Sequence, residues 1–185
     1  ALFTSKIFSV TEGDKAAAEI LVSYSYLGRE RTSSYPVTVT INNRNAVTWD
    51  DDRKAAAFVT AKDPLVLSFA KRIAAGVDTK SNTAFNGKFR TAMGLFEALG
   101  PKGADIGYVI DPNTPYAKLS EEETALDFLQ FPGQTLAYQA GDCDDISILY
   151  SAVLEAAGIP TAFITAPGHI FVAFNTEMDA DTARK

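Results

Sequence analysis

A capped helix followed directly by two strands, near the end of the chain, constrains the fold more than any other feature. The helix is predicted from about Cys143 to Ala157, with Asp142 as its N-cap and Gly-Ile-Pro as its stop. TAFITA (161–166) and HIFVAF (169–174) are rich in β-branched and aromatic residues and are joined by Pro-Gly, which predicts two strands. The only cysteine of the chain opens this helix, and its only histidine opens the second strand.

The beginning of the chain has a different character. Three segments rich in β-branched and aromatic residues predict strands: KIFSV (6–10), AEILVSYSYLG (18–28) and PVTVTINN (36–43). Valine and threonine alternate in the third segment, which is typical of a half-buried strand. The character changes near Trp49. We therefore expect a β-rich N-terminal segment over 1–47, either an edge-supporting sheet or the end of a β-sandwich cut off upstream, and a second domain over 48–185.

Three helices are predicted between these two regions. Asp63 as N-cap and Pro64 at the first helical position begin one that Gly76 ends. A second runs from about Thr83 to Leu99. The residues expected to form apolar faces are Leu65, Phe69 and Ile73 in the first helix and Phe85, Phe89, Met93 and Phe96 in the second. A capping-box pattern at Ser120 and Glu123 predicts a third helix through Leu129, and IGYVI (106–110) predicts a short strand.

Charge and ligand counts exclude several classes of function. A net charge of −6 over 185 residues argues against a nucleic-acid partner, because phosphate binding needs clustered Lys and Arg. No apolar run approaches the roughly 20 residues that span a bilayer, so we expect no membrane span. One cysteine and one histidine are too few for a zinc site, and WDDDRK (49–54) lacks the Gly and Glu of a calcium loop. We expect neither a metal nor a cofactor.

The start of the chain predicts a processed protein. It begins with Ala1 on a strand-like stretch, with no recognisable leader, so we expect an excised or processed piece of a longer protein. The residues predict neither a cellular location nor an oligomeric state.

The lone thiol and imidazole occupy positions that suit chemistry. The N–H groups and dipole at a helix start stabilise a thiolate, and a nearby imidazole could take its proton and later protonate a leaving amine. The alternative is a buried cysteine that acts only as a small apolar side chain. The aspartates beside Cys143 also raise the pKa of a thiol, so the nucleophile hypothesis requires Asp144 and Asp145 to point away or be engaged elsewhere.

The stretch QTLAYQAGDCDDISILYSAVLEAAGIPTAFITAPGHIFVAF, residues 134–174, resembles the core of the transglutaminase-like superfamily of cysteine enzymes, in its bacterial form. The shared features are a Gly-Asp-Cys-acidic-Asp start to a helix, an Ala-Gly-Ile link to a strand, and a Pro-Gly-His start to the next strand. The resemblance implies an α+β fold with a papain-like core, in which the nucleophile helix packs on an antiparallel sheet behind the N-terminal β segment.

The same resemblance implies roles for individual residues. Cys143 matches the nucleophile and His169 the base of a Cys–His–Asp triad. The backbone N–H of Cys143 and a second donor would hold the oxyanion, and Gln139 and Gln134 are candidates for that donor, with ordinary loop positions as the alternative. Asp142 and Asp145 are expected to support the helix start.

The third triad residue departs from the family pattern, in which an Asp lies on the strand after the histidine strand. Asn175 shares the face of His169, but six residues of strand separate them by roughly 20 Å. Asp179 or Asp181 could approach His169 only if the chain reverses after the strand. Otherwise the acid lies beyond Lys185, in a domain truncated at its C-terminus.

The function expected from this resemblance is amide-bond chemistry through a thioester. The substrate would be a protein or peptide, with hydrolysis by a peptidase or amidase favoured over cross-linking because of the family's bacterial members. The alternative is a catalytically inactive domain of the same fold that binds a peptide or protein in its groove.

Overall fold

A computed structural model of the chain describes residues 4–78, 85–110, 125–179 and 181. These residues form helices and small, mostly antiparallel sheets, so the fold combines α and β structure. The chain divides into two compact units, Ala1–Ala46 and Val47–Lys185. No helix in the described part of the chain is long and apolar enough to cross a membrane.

The first unit contains a long β-hairpin. Its strands are β1 (Asp14–Tyr26) and β2 (Arg29–Ile41), which pair antiparallel from Asp14 opposite Ile41 to Tyr26 opposite Arg29. The two residues of the turn, Leu27 and Gly28, both have positive φ. This is the conformation of the tight turn that matches the twist of a hairpin. No residue of β1 or β2 is fully buried, so the prediction of a half-buried third strand is only partly met.

The predicted strand at residues 6–10 is wrong. Ser5–Ser9 form a 3-10 helix, in which the Ile7 N–H donates to the Thr4 carbonyl and the Val10 N–H donates to the Ile7 carbonyl. The Ser9 hydroxyl also donates to the Lys6 carbonyl, at 2.7 Å. These local hydrogen bonds satisfy the backbone without a partner strand.

The described residues from Ala46 onward form short strands and four α-helices. In chain order these elements are β3 (Ala46–Val47), a 3-10 helix (Asp52–Phe58), α1 (Pro64–Gly76), α2 (Gly87–Leu99), β4 (Gly107–Tyr108), β5 (Asp127–Phe128), α3 (Pro132–Tyr138), β6 (Ala140–Gly141), α4 (Cys143–Ala156), β7 (Thr161–Ala166) and β8 (His169–Phe174). β3 pairs with β5, β4 pairs in parallel with β6, and β7 pairs antiparallel with β8.

The helix α4 is the centre of the second unit. Its middle turns bury Leu149, Ala152 and Val153 completely, and α1, α2, α3 and β8 all pack against it. The predicted bounds of α1, β7 and β8 are confirmed, and α4 ends one residue before its predicted end. Asp63 caps α1 as predicted, accepting the Leu65 N–H at 2.8 Å.

The predicted apolar face of the second helix is wrong. α2 begins at Gly87 because Asn86 caps it, and it buries Ala92, Leu95 and Leu99, while Phe96 is 59% exposed. The small Ala92 and the two leucines give a face that lets α2 approach α1 and α4 closely. The predicted start near Thr83 lies outside the described residues. In α1 the predicted face is confirmed at Phe69, which is buried, and at Ile73, which packs against the core, whereas Leu65 is exposed and its neighbour Val66 is buried.

The predicted third helix does not reach Leu129. Its capping residues Ser120 and Glu123 lie outside the described residues, but Asp127 and Phe128 form the strand β5. The helix α3 was not predicted from the sequence, although Pro132 occupies its first helical position. Proline is favoured there, since the N–H it lacks would have no partner within the helix.

Candidate functional site

The cysteine lies at the first position of α4. Cys143 is half-buried, and Asp142 before it accepts the Asp144 N–H at 3.3 Å, so the helix has the N-cap that the sequence predicts. Gly141 leaves room for this arrangement. A Cβ at that position would lie 2.7 Å from the Asp145 Cβ, which no real side chain allows. Glycine is therefore required at position 141 for the close approach of β6 to the first turn of α4.

The first turns of α4 contact the beginning of β8. The backbone N–H of Ile170 interacts with the Cys143 sulfur and acts to lower the pKa of the thiol. One turn further along α4, the Ser147 hydroxyl donates to the Ile170 carbonyl at 3.1 Å. His169 immediately precedes Ile170 and is exposed. The fold thus brings the thiol to the strand position next to the only histidine.

The two side chains are not directly bonded. Within the described residues, no hydrogen bond joins the Cys143 sulfur to the His169 ring. Catalytic pairs are often separated like this in the absence of substrate. Ile170 connects the two residues: it follows His169 in the chain, and its backbone N–H faces the Cys143 sulfur.

Asp145, two residues after the cysteine, accepts hydrogen bonds from Gln130 on both carboxylate oxygens. The backbone N–H of Gln130 donates to Oδ1 of Asp145 at 2.7 Å, and its side-chain Nε2 donates to Oδ2 at 2.6 Å. Asp145 therefore ties the start of α4 to the segment before α3. This meets one requirement of the nucleophile hypothesis, because the charge of Asp145 is directed at Gln130.

Burial strongly perturbs the acidic residues of the first turn. Burial raises the pKa of Asp144 to about 10, and a hydrogen bond with Asp142 and the charges of Asp142, Asp145 and Asp127 add to the effect. Burial also raises the pKa of Asp145 to about 7, against the lowering effect of its bonds from Gln130. Asp144 is consequently a neutral carboxylic acid at neutral pH.

The thiol itself is held protonated. Burial raises the pKa of Cys143, the charges of Asp144 and Asp142 raise it further, and the backbone N–H groups of Ile170 and Asp144 only partly oppose them. The N–H of Asp144 at the helix start lowers this pKa, as expected from the sequence, but the net pKa of the thiol is raised. Desolvation and the acidic neighbours outweigh the dipole.

Three carboxylates are close enough to hold a cation. One oxygen from each of Asp142, Asp144 and Asp145 lies within 4.8 Å of the others, and all three residues are buried. However, Asp145 accepts from Gln130, Asp142 accepts the Asp144 N–H, and Asp144 accepts the Asp145 N–H at 2.7 Å. These bonds and the proton on Asp144 explain the cluster as the cap of α4.

The two glutamines proposed as oxyanion donors are engaged in local structure. Gln134 lies in α3, and its Oε1 accepts the Phe131 N–H at 2.8 Å. Gln139 follows α3 with a positive φ of 54°, and its Nε2 donates to the Ala104 carbonyl at 2.7 Å. Neither is the ordinary loop residue of the alternative, since both hold α3 in place.

Tyr108 is the residue near the thiol that the sequence analysis did not place in the site. It lies on β4 directly opposite Gly141 of β6, two residues before the cysteine. Burial raises the pKa of Tyr108, and the charges of Cys143, Asp142 and Asp144 raise it further. No sequence signal identifies this pairing, because 31 residues separate the two short strands.

The candidates for the third triad residue follow the far end of β8. His169 opens β8 and Phe174 closes it, about 17 Å away for a strand of this length. Beyond it, Glu177 forms an ion pair with Lys88 at 2.6 Å, which holds this stretch against the start of α2. Asp179 and Asp181, like Asn175, are exposed in this terminal stretch.

Comparisons with known proteins give no relative of this chain. No family model, no curated protein and no solved structure matches it. The functional conclusion therefore rests on the residues of the chain and their geometry.

Proposed function

We propose that the second unit is a transglutaminase-like, papain-like cysteine enzyme that hydrolyses amide bonds in proteins or peptides. The observation that carries the proposal is the position of the Cys143 thiol, at the start of α4 and against the backbone N–H of Ile170, the neighbour of His169. The helix–strand–strand order of α4, β7 and β8 supports the same assignment.

The reaction begins with a neutral thiol. Because the pKa of Cys143 is raised, His169 acts as a general base and removes the proton as the sulfur attacks the carbonyl carbon. The C–N bond then breaks, the imidazolium gives its proton to the leaving amine, and a thioester remains on Cys143. Water, deprotonated by His169, hydrolyses the thioester and restores the thiol.

The oxyanion is stabilised by groups on two elements. The N–H of Cys143 belongs to the first turn of α4, whose N–H groups have no partner within the helix. The hydroxyl of Tyr108 is the second donor, since β4 pairs with β6 just before Cys143 and the charge of the thiolate acts on the phenol. It takes the role proposed from the sequence for Gln139 and Gln134, whose amide groups are bonded to Ala104 and Phe131.

Cleavage of a labelled, unfolded protein measures the proposed activity. We expect Cys143→Ser and His169→Asn each to reduce the rate of new amino-terminus formation by about 10³-fold or more, and Tyr108→Phe to reduce kcat by about 10²-fold. Thr165→Ala, on the exposed surface of β7, is the matched control and leaves the rate unchanged. Equal rates in wild type and Cys143→Ser would overturn the proposal.

A labelled primary amine separates the two outcomes of the thioester. Hydrolysis leaves the label in solution, whereas cross-linking attaches it to a glutamine of the substrate. We expect no incorporation above the level of Cys143→Ser.

A second function is favoured by one observation. The raised pKa of Cys143 and its lack of a hydrogen bond to His169 also fit an inactive domain that binds a peptide. In that case, the wild type binds labelled peptides with the same affinity as Cys143→Ser and cleaves none of them.

A further inference from the structure

The hairpin of the first unit has two unlike faces. Side chains alternate along a strand and directly opposed residues share a face, so the register assigns every residue of β1 and β2 to one face. On one face lie the even-numbered residues of β1 from Ala16 to Tyr26, opposite Tyr35, Val37 and Val39 of β2. The other face carries mostly serine, threonine and charged residues. We call the first the apolar face.

The polar face is satisfied by its own contacts. The hydroxyl groups of Ser23 and Thr32 are 3.0 Å apart, and the Ser34 hydroxyl donates to Glu19. On the apolar face, large side chains are left exposed. Ile20 and Tyr35, a directly opposed pair at its middle, are 52% and 54% exposed.

Such a face needs a cover. A two-stranded hairpin is at best marginally stable in water, because it has no second layer to bury its apolar side chains. Large exposed apolar patches on soluble proteins mark interaction surfaces. The 13-residue strands of this hairpin are about 43 Å long, so its apolar face extends far beyond the turn.

The apolar face changes in charge from one end to the other. At the open end lie Asp14, Ala16 and Ala18, opposite Ile41, Val39 and Val37 of β2, so this end is acidic and apolar. At the turn end lie Tyr26 and Arg31, which are large and basic, with the Arg31 guanidinium 5.7 Å from the centre of the Tyr26 ring. The face is therefore complementary to a reversed copy of itself.

We propose that the apolar face is covered by the same face of a second copy of this chain. The two-fold axis lies between the hairpins and perpendicular to their strands, so the turn end of one hairpin lies over the open end of the other. With the axis at the central Ile20–Tyr35 pair, Tyr26 lies over Asp14 of the second copy, and Arg31 lies over the neighbouring Ala16–Val39 pair, from which its side chain extends towards Asp14. An axis along the strands would instead oppose the arginines of the two copies. A two-fold interface of this kind is self-complementary by construction.

The area of the apolar face limits the affinity of the two copies for each other. It is about 43 Å long and about 10 Å wide, so each copy covers on the order of 400 Å². This is below the roughly 800 Å² per partner of a standard stable interface. We therefore expect a dimer that forms in the micromolar range.

Sedimentation equilibrium of the full chain between about 1 and 200 µM tests this proposal. We expect a monomer–dimer equilibrium for the wild type. Ile20→Glu weakens the dimer by about 100-fold or more, because it places a charge at the centre of the covered face. Leu21→Glu is the matched control. Leu21 is the next residue and is 62% exposed, but it lies on the polar face, so this variant dimerises like the wild type.

A charge exchange tests the orientation and guards against variants that fail to fold. Asp14→Arg and Arg31→Asp each weaken the dimer by about threefold to tenfold, and the double variant recovers most of that loss. Circular dichroism confirms that each variant keeps its strands. A monomer throughout the concentration range, or equal dimerisation of Ile20→Glu and the wild type, would overturn the proposal. Failure of the charge exchange to recover dimerisation would overturn the reversed orientation.

Discussion

At the scale of single residues, the site is governed by the burial of acidic side chains. Asp144 is almost completely buried at the start of α4, and its raised pKa keeps it protonated at neutral pH. Its acid proton can be shared with Asp142, while its Oδ1 accepts the Asp145 N–H. The sequence indicated only that charge near the thiol had to be directed away. Protonation meets that condition in a way that no residue pattern shows.

Asp144→Asn tests this protonation. The pKa of Asp144 is higher in the folded chain than in the unfolded chain, so the folded state holds a proton that the unfolded state releases above pH 4. Stability therefore falls as pH rises from about 4 towards 10, by up to about 1.4 kcal/mol per pH unit for this group. Asparagine keeps the acceptor and the donor and cannot ionise.

Urea unfolding at several pH values measures the difference. We expect the variant to be more stable than the wild type at pH 7, with the difference growing up to pH 9 and shrinking towards pH 5. Asp145, whose pKa is about 7, titrates in both proteins and so does not affect the comparison above pH 8. Parallel stability curves would show that Asp144 is ionised in the folded chain.

At the scale of elements, local signals predicted some helices and strands and tertiary packing decided the rest. Asp63 and Asp142 are strong caps, and Pro-Gly is a strong turn, so α1, α4, β7 and β8 could be predicted closely. The face of α2 could not, because two stripes with helical spacing compete in the same sequence. The pairing of Tyr108 with Gly141 depends on distant contacts and carries no local signal. Cys143 and His169 could be selected from the sequence as candidate site residues, because each is the only residue of its type in the chain.

Substitutions at two adjacent residues of α2 distinguish its buried face from its exposed face. Leu95 is completely buried between α1 and α4, so Leu95→Ala should cost about 2–5 kcal/mol of unfolding free energy. Phe96 is mostly exposed and keeps one edge contact with Tyr150, so Phe96→Ala should cost about 1 kcal/mol. Urea unfolding of the two variants measures both values. The reverse order of effects would restore the face predicted from the sequence.

At the scale of the whole molecule, the two units differ in how they are stabilised. The second unit buries a continuous cluster around α4, including Val66, Leu95 and Leu149. The hairpin of the first unit buries no residue of either strand. Its stability should consequently depend on association, whereas that of the second unit should not.

Hydrogen exchange at two protein concentrations tests this difference. Peptides from β1 and β2 should exchange more slowly at high concentration, because the dimer protects the hairpin. Peptides from α4 should exchange at the same rate at both concentrations. Ile20→Glu provides the control, since it removes the concentration dependence from the hairpin alone. Concentration-independent exchange throughout the chain would contradict the dimer.

The protonated aspartate at the start of α4 also changes the charge of the molecule. The formal net charge of −6 counts every carboxyl group as ionised. The folded chain carries fewer negative charges at neutral pH, because Asp144 takes up a proton when α4 forms and Asp145, whose pKa is about 7, is partly protonated. Folding therefore consumes hydrogen ions, and refolding in a weakly buffered solution makes the solution more alkaline.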